Sequence, residues 1–75
     1  MPSLQISFGE TLRELRVELG MSQEKLAQKA KVSRNFVGSV ERGESSLSLD
    51  VADRMARTVG VSLSDFLKAV DAKRK

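Results

Sequence analysis

Two adjacent side chains, Arg34 and Asn35, carry planar hydrogen-bonding groups at the start of a predicted helix. An arginine guanidinium can donate two hydrogen bonds to O6 and N7 of guanine, and an asparagine amide can pair in the same way with N6 and N7 of adenine. The alternative is that both are ordinary hydrated residues of a first helical turn. The sequence around these two residues is needed to distinguish the two interpretations.

The side chains that most catalytic and metal sites require are missing. The chain has no cysteine and no histidine, which excludes disulfides, Cys/His zinc sites and any mechanism that needs imidazole or thiolate. Its ten acidic residues are spread out without an EF-hand-like loop, and no carboxylate pair or glycine-rich phosphate loop is present. The sequence therefore predicts a protein that is not an enzyme and that uses no metal and no cofactor.

Size and charge allow one small soluble domain. The chain has 75 residues, of which 40% are hydrophobic and 31% are charged, and a chain of this size buries only about 60% of its unfolded surface. A monomer should therefore be marginally stable. The net charge of +3 is compatible with a polyanionic partner but also serves solubility alone. Since no signal peptide or run of ~20 apolar residues is present, we expect a cytoplasmic protein without membrane contact.

Helical periodicity extends through the chain, and no run alternates with the period of a strand. Serine caps and glycine stops predict five helices and an all-α fold. The predicted caps are Ser7, Ser22, Ser33, Ser48 and Ser62, and the predicted stops are Gly20, Gly43 and Gly60. We expect a single domain over residues 1–75 with an ordered core at about 8–70. Residues 71–75 form a frayed or disordered basic tail, which is normally solvated but could follow phosphates.

The second and third predicted helices, roughly 23–30 and 34–42, are separated by a very short turn at Lys31 and Val32. Such a turn imposes a large crossing angle, so a small residue is needed where the helices touch, and Ala27 can fill that place. The apolar residues that would fill the angle are Leu26, Val32, Val37 and Val40. This pattern is typical of a DNA-binding helix-turn-helix, whose second helix lies in the major groove.

The segment MSQEKLAQKAKVSRNFVGSVERG resembles the core of the phage-repressor helix-turn-helix family, also called the XRE family. The fragments SQEKLA and VERG occur at the right separation, and the likeness covers about residues 8–70. The resemblance implies a compact five-helix, lambda-repressor-like DNA-binding domain with the motif in helices two and three. Lys31 occupies a turn position that is often glycine or asparagine in the family, because it tends to need a positive φ. A lysine there should be strained by something like 1 kcal/mol.

The resemblance also implies which residues contact DNA. It places base contacts at Arg34, Asn35 and Ser39, although Ser39 could instead be a solvated hydroxyl. It places a phosphate contact at Gln23, beside a helix N-terminus whose free N–H groups attract anions. Further candidates for contacts with the sugar–phosphate backbone are Ser33, Phe36, Arg42, Lys25 and Gln28. Phosphate contacts would position the protein without specifying a sequence.

Structural interpretations are available for four residues, Arg16, Glu41, Gly38 and Phe36. The resemblance implies that Arg16 and Glu41 form a partly buried ion pair between helices one and three, which is structural and not catalytic. Gly38 interrupts the third helix at a cost of roughly 1 kcal/mol relative to alanine. It could leave room for DNA, or it could pack closely against helix one or two. For Phe36, contact with a thymine methyl group and simple shielding of the motif are both open.

The fifth predicted helix carries four apolar residues on one face, namely Leu63, Phe66, Leu67 and Val70. They could form a two-fold interface, as small members of the family commonly do, or they could lie wholly within a monomer. A homodimer would place its third helices in successive major grooves, about 34–36 Å apart, on a pseudo-palindromic site.

The predicted function is sequence-specific transcriptional regulation by binding double-stranded DNA. The run RNFV leading into VERG resembles restriction–modification controller proteins, but phage repressors and antitoxins share the scaffold. Regulation would come from site occupancy, cooperativity between dimers or contact with RNA polymerase. The alternative is an antitoxin-type interaction module whose main partner is a toxin or another protein.

Overall fold

A computed structural model describes residues 3–74, which fold into five α-helices. These are α1 (Leu4–Glu18), α2 (Gln23–Ala30), α3 (Arg34–Glu41), α4 (Leu49–Thr58) and α5 (Leu63–Ala72). No strand occurs within residues 3–74, and the predicted all-α, five-helix fold is confirmed. Helix α5 continues two residues beyond the predicted ordered core, and Lys75 of the predicted tail lies outside the described residues.

A serine N-cap begins every helix. In all five caps the side-chain oxygen accepts a hydrogen bond of 3.0–3.2 Å from the backbone N–H three residues later. Four of these caps were predicted correctly. The predicted start of α1 was wrong, because the N-cap of this helix is Ser3 and not Ser7. Ser7 is fully buried inside the helix. The additional first turn brings Ile6 against Gly43, a contact with the end of α3 that favours the earlier start.

The hydrophobic core takes residues from every helix. Its largest fully buried side chains include Phe66, Leu12, Leu26 and Met55. The rings of Phe8 and Phe66 pack with their centroids 4.7 Å apart and tilted by 48°, a favourable aromatic geometry that holds α1 against α5. The core therefore fixes the helix-turn-helix between α1 and α4 instead of leaving it as a separate unit.

The turn between α2 and α3 has the geometry that its sequence predicted. Leu26, Ala27, Val37 and Val40 are buried where the two helices cross, and the N–H of Val32 donates to the carbonyl of Ala27 at 3.0 Å. Lys31 caps α2 in the left-handed conformation, with φ 61° and ψ 47°. It is the only non-glycine residue with positive φ in the described part of the chain.

Replacing Lys31 with glycine should raise the free energy of unfolding by about 0.5–1 kcal/mol. The substitution removes a left-handed backbone strain of about 1–2 kcal/mol from the folded state. Glycine also gives the unfolded chain more conformational freedom, which lowers the free energy of unfolding by about 0.4–1 kcal/mol. Urea unfolding measures the change. Lys29→Gly, inside the right-handed α2, is the control and should lower the free energy of unfolding by about 1 kcal/mol. Equal losses in both variants would show that Lys31 is unstrained.

Candidate nucleic-acid interface

A polar surface pocket of about 180 Å³ lies where the beginning of α2 meets the exposed side of α3. It is lined by Gln23, Arg34, Asn35, Gly38 and Arg42. Four of these residues were predicted to contact DNA. Gln23 belongs to α2, Arg34 and Asn35 belong to α3, and Arg42 is the C-cap of α3. The structure thus brings two of the three candidate base-contacting residues, Arg34 and Asn35, and two candidate phosphate-contacting residues, Gln23 and Arg42, to one surface.

Arg34 and Asn35 are exposed in the first turn of α3. Among residues 3–74, neither side chain forms a hydrogen bond or an ion pair, and their donors and acceptors are therefore available to a ligand. Their placement at the N-terminal end of the second helix is the one from which helix-turn-helix proteins contact base edges.

Arg16 and Glu41 form a bidentate ion pair between α1 and α3. Arg16 Nε lies 2.6 Å from one carboxylate oxygen and Nη2 lies 3.0 Å from the other, while Nη1 donates to the carbonyl of Met21 at 2.9 Å. The side chains are only 12% and 3% exposed. The pair occupies the place that the family resemblance implied and ties the helix bearing Arg34 to the rest of the domain.

The hydrogen bond from Arg16 to the Glu41 carboxylate raises the pKa of the guanidinium, against a lowering by burial. A raised pKa on a base stabilises the fold at every pH below the unfolded-state value. That contribution is lost only as the pH rises through the folded-state value. For arginine this happens in strongly alkaline solution, and the ion pair is therefore unaffected by ionisation of Arg16 near neutrality.

Gln23 is held by the same carboxylate. Its Nε2 donates to Glu41 Oε1 at 3.1 Å, which uses one of the two amide hydrogens and leaves the other for a ligand. Gln23 is the first residue of α2, beside the unsatisfied N–H groups of the helix. The amide therefore has a fixed orientation at a position suited to a phosphate oxygen.

Ser39 has a more enclosed position than a base contact would suggest. Its hydroxyl donates to the carbonyl of Phe36 at 3.1 Å and shares a 2.6 Å hydrogen bond with the hydroxyl of Ser45. The side chain is half-buried. A base contact from Ser39 would have to replace or extend this pair. Sequence reasoning missed Ser45, because a loop serine six residues away carries no periodic signal.

The remaining candidates differ in how freely they can reach a phosphate. Arg42 pairs with Glu44 at 3.0 Å, but the two side chains are 61% and 60% exposed, and such pairs contribute at most about 1 kcal/mol. Arg42 can therefore exchange this partner for a phosphate. Lys25 and Gln28 are exposed on α2. Ser33 accepts the N–H of Phe36 and keeps its own hydroxyl hydrogen, whereas the Phe36 ring packs against the core.

The two glycines within helices have different surroundings. A Cβ added to Gly38 would lie 3.1 Å from Arg42 Nη1 and 4.0 Å from Gln23 Nε2, with no backbone atom of α1 or α2 close by. Gly38 therefore keeps space open in the polar pocket and does not serve close helix packing. The closely packed glycine is Gly9, whose added Cβ would collide with the carbonyls of Val40 and Glu41. No local sequence pattern predicted this close contact.

The four apolar residues of the predicted dimer face divide into two groups. Phe66 and Val70 are 1% exposed and belong to the chain's own core, and they are therefore not available at the surface of the folded chain. Leu63 and Leu67 are half-buried, and Leu67 lines an apolar groove of about 160 Å³. With it lie Leu4 and Leu49, which are 52% and 75% exposed. We call Leu4, Leu47, Leu49 and Leu67 the apolar surface.

No helix within residues 3–74 is long and apolar enough to cross a membrane. The same part of the chain contains no group of three or more acidic side chains that could hold a metal ion.

Comparison with known proteins places these features in context. Residues 12–66 match the model of a family described as helix-turn-helix. The control protein C.BamHI of Bacillus amyloliquefaciens is 33% identical, over 87% of this chain and 82% of its own length. The controller protein C.AhdI of Aeromonas hydrophila superposes with a TM-score of 0.79 at 37% identity, over 83% of this chain and 94% of its own.

A second controller structure shows the same fold at lower identity. It is the C.Esp1396I tetramer in complex with its natural 35-base-pair operator, and it superposes with a TM-score of 0.86 at 23% identity. The alignment covers 97% of this chain and 96% of that one.

Proposed function

The chain belongs to the helix-turn-helix family of the XRE type, and on this premise we propose that it is a transcriptional regulator that binds a specific sequence of double-stranded DNA. The observation that carries the proposal is the shared pocket of Gln23, Arg34, Asn35 and Arg42. It combines groups suited to base edges with groups suited to phosphates, and both are needed for sequence recognition.

The arrangement assigns separate roles to the two helices. Arg34 and Asn35 have no competing partner within residues 3–74, so binding a base does not require an internal contact to be broken. Gln23 is already oriented by Glu41, so its phosphate contact requires little reordering. A pre-organised interface loses less conformational entropy on binding than a flexible one. We infer that α3 enters the major groove while α2 rests on the backbone.

The active form that we propose is a homodimer formed through the apolar surface. Leu49 and Leu4 are large, exposed side chains beside the half-buried Leu67. The molecule measures 32 × 22 × 22 Å, a size comparable with the separation of about 34–36 Å between successive major grooves that the α3 helices of such a dimer would have to match. The expected DNA site is therefore pseudo-palindromic.

The relatives suggest a narrower role. C.BamHI and C.AhdI are named as control or controller proteins, and we propose that this chain acts in the same way on an operator in the cytoplasm. One relative occupies its natural operator as a tetramer. Two dimers on adjacent sites are therefore the assembly that we expect at full occupancy, with RNA polymerase as a further partner.

The test of this function is selection of bound sequences from a random duplex pool, followed by titration of the selected DNA across a salt series. A two-fold symmetric motif, with far weaker binding to scrambled DNA, is the expected result. Binding that falls with salt but shows no sequence preference would contradict the proposal and make a protein partner the better explanation.

Arg34→Ala and Gln23→Ala should have different effects on recognition. Loss of a bidentate base contact costs about 1–3 kcal/mol of discrimination, so Arg34→Ala should relax the preference at one base position in each half-site. Gln23→Ala should weaken binding to all sequences similarly, because a phosphate contact carries no sequence information. Titrating both variants against every single-base change in one half-site distinguishes the two. A uniform loss in Arg34→Ala would remove Arg34 from the base-contacting set.

A further inference from the structure

A second, open groove on the surface lies outside the pocket described above. It has a volume of about 440 Å³ and is lined by Lys29, Lys31, Arg54, Arg57 and Thr58. The two lysines come from the end of α2 and its turn, and the two arginines come from the last half of α4. We call this the basic groove. None of its residues was assigned to DNA binding by the sequence analysis.

Folding alone does not explain four cations at this place. Arg54 Nε already donates to the carbonyl of Ala30 at 3.0 Å, and Arg57 pairs with Asp53 at 3.0 Å. Lys29 and Lys31 form no ion pair with any residue in 3–74. One cation near a helix C-terminus is favourable, but further like charges in the same groove repel each other and oppose the folded state.

The basic groove lies next to the start of α3. Lys31 is two residues before Ser33, the N-cap of that helix. Along α4, Arg57 is eight residues from Leu49, or about 12 Å at 1.5 Å per residue. Leu49 belongs to the apolar surface and Arg57 to the basic groove. The groove is therefore separated along α4 from the proposed dimer contact, and its Lys31 lies in the turn that leads into the end of α3 that carries Arg34.

We propose that the basic groove binds phosphates of the DNA backbone that flanks each half-site on the side away from the two-fold axis. This inference rests on the proposed function and extends its footprint beyond the bases that α3 contacts. The flanking contacts should be independent of sequence, because the lysine and arginine groups of the groove suit phosphate and none of them lies on α3. Each neutralised phosphate adds about 0.9 to the slope of log affinity against log salt.

DNA fits the groove better than an acidic protein does. Four of the five lining residues are cationic and none is acidic, whereas the centres of protein–protein interfaces are poor in charge. Adjacency to the first turn of α3 places the groove where flanking backbone would run if Arg34 contacts a base. Both observations favour phosphate as the ligand.

The test compares two duplexes that carry the same selected site. The core duplex ends at the outer edges of the half-sites, and the extended duplex adds eight base pairs of unrelated sequence on each side. Wild-type protein should bind the extended duplex about tenfold more tightly at moderate salt, with a steeper salt slope. Changing the flanking sequence at constant length should have no effect.

The variant Lys29→Gln/Arg57→Gln should lose most of this gain and bind the two duplexes within about twofold, while its affinity for the core duplex stays near that of wild type. The matched control is Arg13→Gln/Lys68→Gln. It also removes one arginine and one lysine charge, but from exposed residues of α1 and α5 that form no ion pair within residues 3–74. This control should keep the tenfold gain.

The outcomes separate this inference from the function on which it rests. If wild-type protein binds the core duplex specifically but gains nothing from the extension, the basic-groove proposal is overturned and an acidic protein becomes the better candidate ligand. The proposal also fails if the groove variant keeps the gain or if the control loses it equally. If wild-type protein binds neither duplex specifically, the proposed function itself fails.

Discussion

Replacing Arg16 with methionine should lower the free energy of unfolding by about 3–5 kcal/mol, the usual cost of breaking a buried ion pair. The Glu41 side chain is 3% exposed and would keep only the amide of Gln23 as a partner. The carbonyl of Met21 would also lose its donor. Urea unfolding monitored by circular dichroism measures the change. A lower midpoint urea concentration at an unchanged m-value is the expected result.

Two further variants keep this prediction testable even if Arg16→Met does not fold. Arg16→Met/Glu41→Leu removes both charges and should recover most of the loss, because a buried pair can be replaced by apolar residues at little cost. Arg57→Met breaks the exposed pair with Asp53 and should cost less than about 1 kcal/mol. A similar small loss in Arg16→Met would mean that Glu41 reaches water in the variant.

Gly9→Ala should lower the free energy of unfolding by about 3 kcal/mol, at the upper end of the usual cost of overpacking. The added Cβ would lie 2.8 Å from the carbonyl oxygen of Glu41 and even closer to that of Val40. Both are backbone atoms of α3, and they cannot rotate away. Relief of the clash requires α1 to move away from the helix that carries Arg34. Urea unfolding again measures the loss.

Gly38→Ala is the matched control, since it also replaces a glycine inside a helix. Its Cβ would meet only the mobile end of the Arg42 side chain at 3.1 Å, so the helix should keep most of the roughly 1 kcal/mol that alanine gains over glycine. The two substitutions should therefore change stability in opposite directions. Losses of equal size would contradict the separate assignments of these glycines.

The elements that were predicted correctly depend on local signals. Ser22, Ser33, Ser48 and Ser62 each precede an apolar repeat with helical spacing, so cap and periodicity agree. The first cap was wrong because Ser3 and Ser7 precede the same repeat and no helix breaker separates them. The earlier start also brings Ile6 against Gly43, 37 residues further along the chain, a contact that no local pattern predicts.

The features that were missed depend on contacts between distant residues. Spacing identified an apolar face on α5 but did not show that Phe66 packs on Phe8, which withdraws it from the surface. The close approach at Gly9 depends on carbonyls more than thirty residues away. The two halves of the basic groove likewise come from helices whose approach no local pattern encodes.

The short connections between neighbouring helices have a consequence for timing. Helix α2 packs on α3 across a turn of three residues, and helical domains rich in such local contacts fold within microseconds to milliseconds. Synthesis at about 5–20 residues per second takes several seconds for a chain of this length. Each new chain is therefore folded almost as soon as it leaves the ribosome. Folding of the single chain therefore adds little to the delay in a response that depends on this protein, compared with synthesis and with assembly of the proposed dimer.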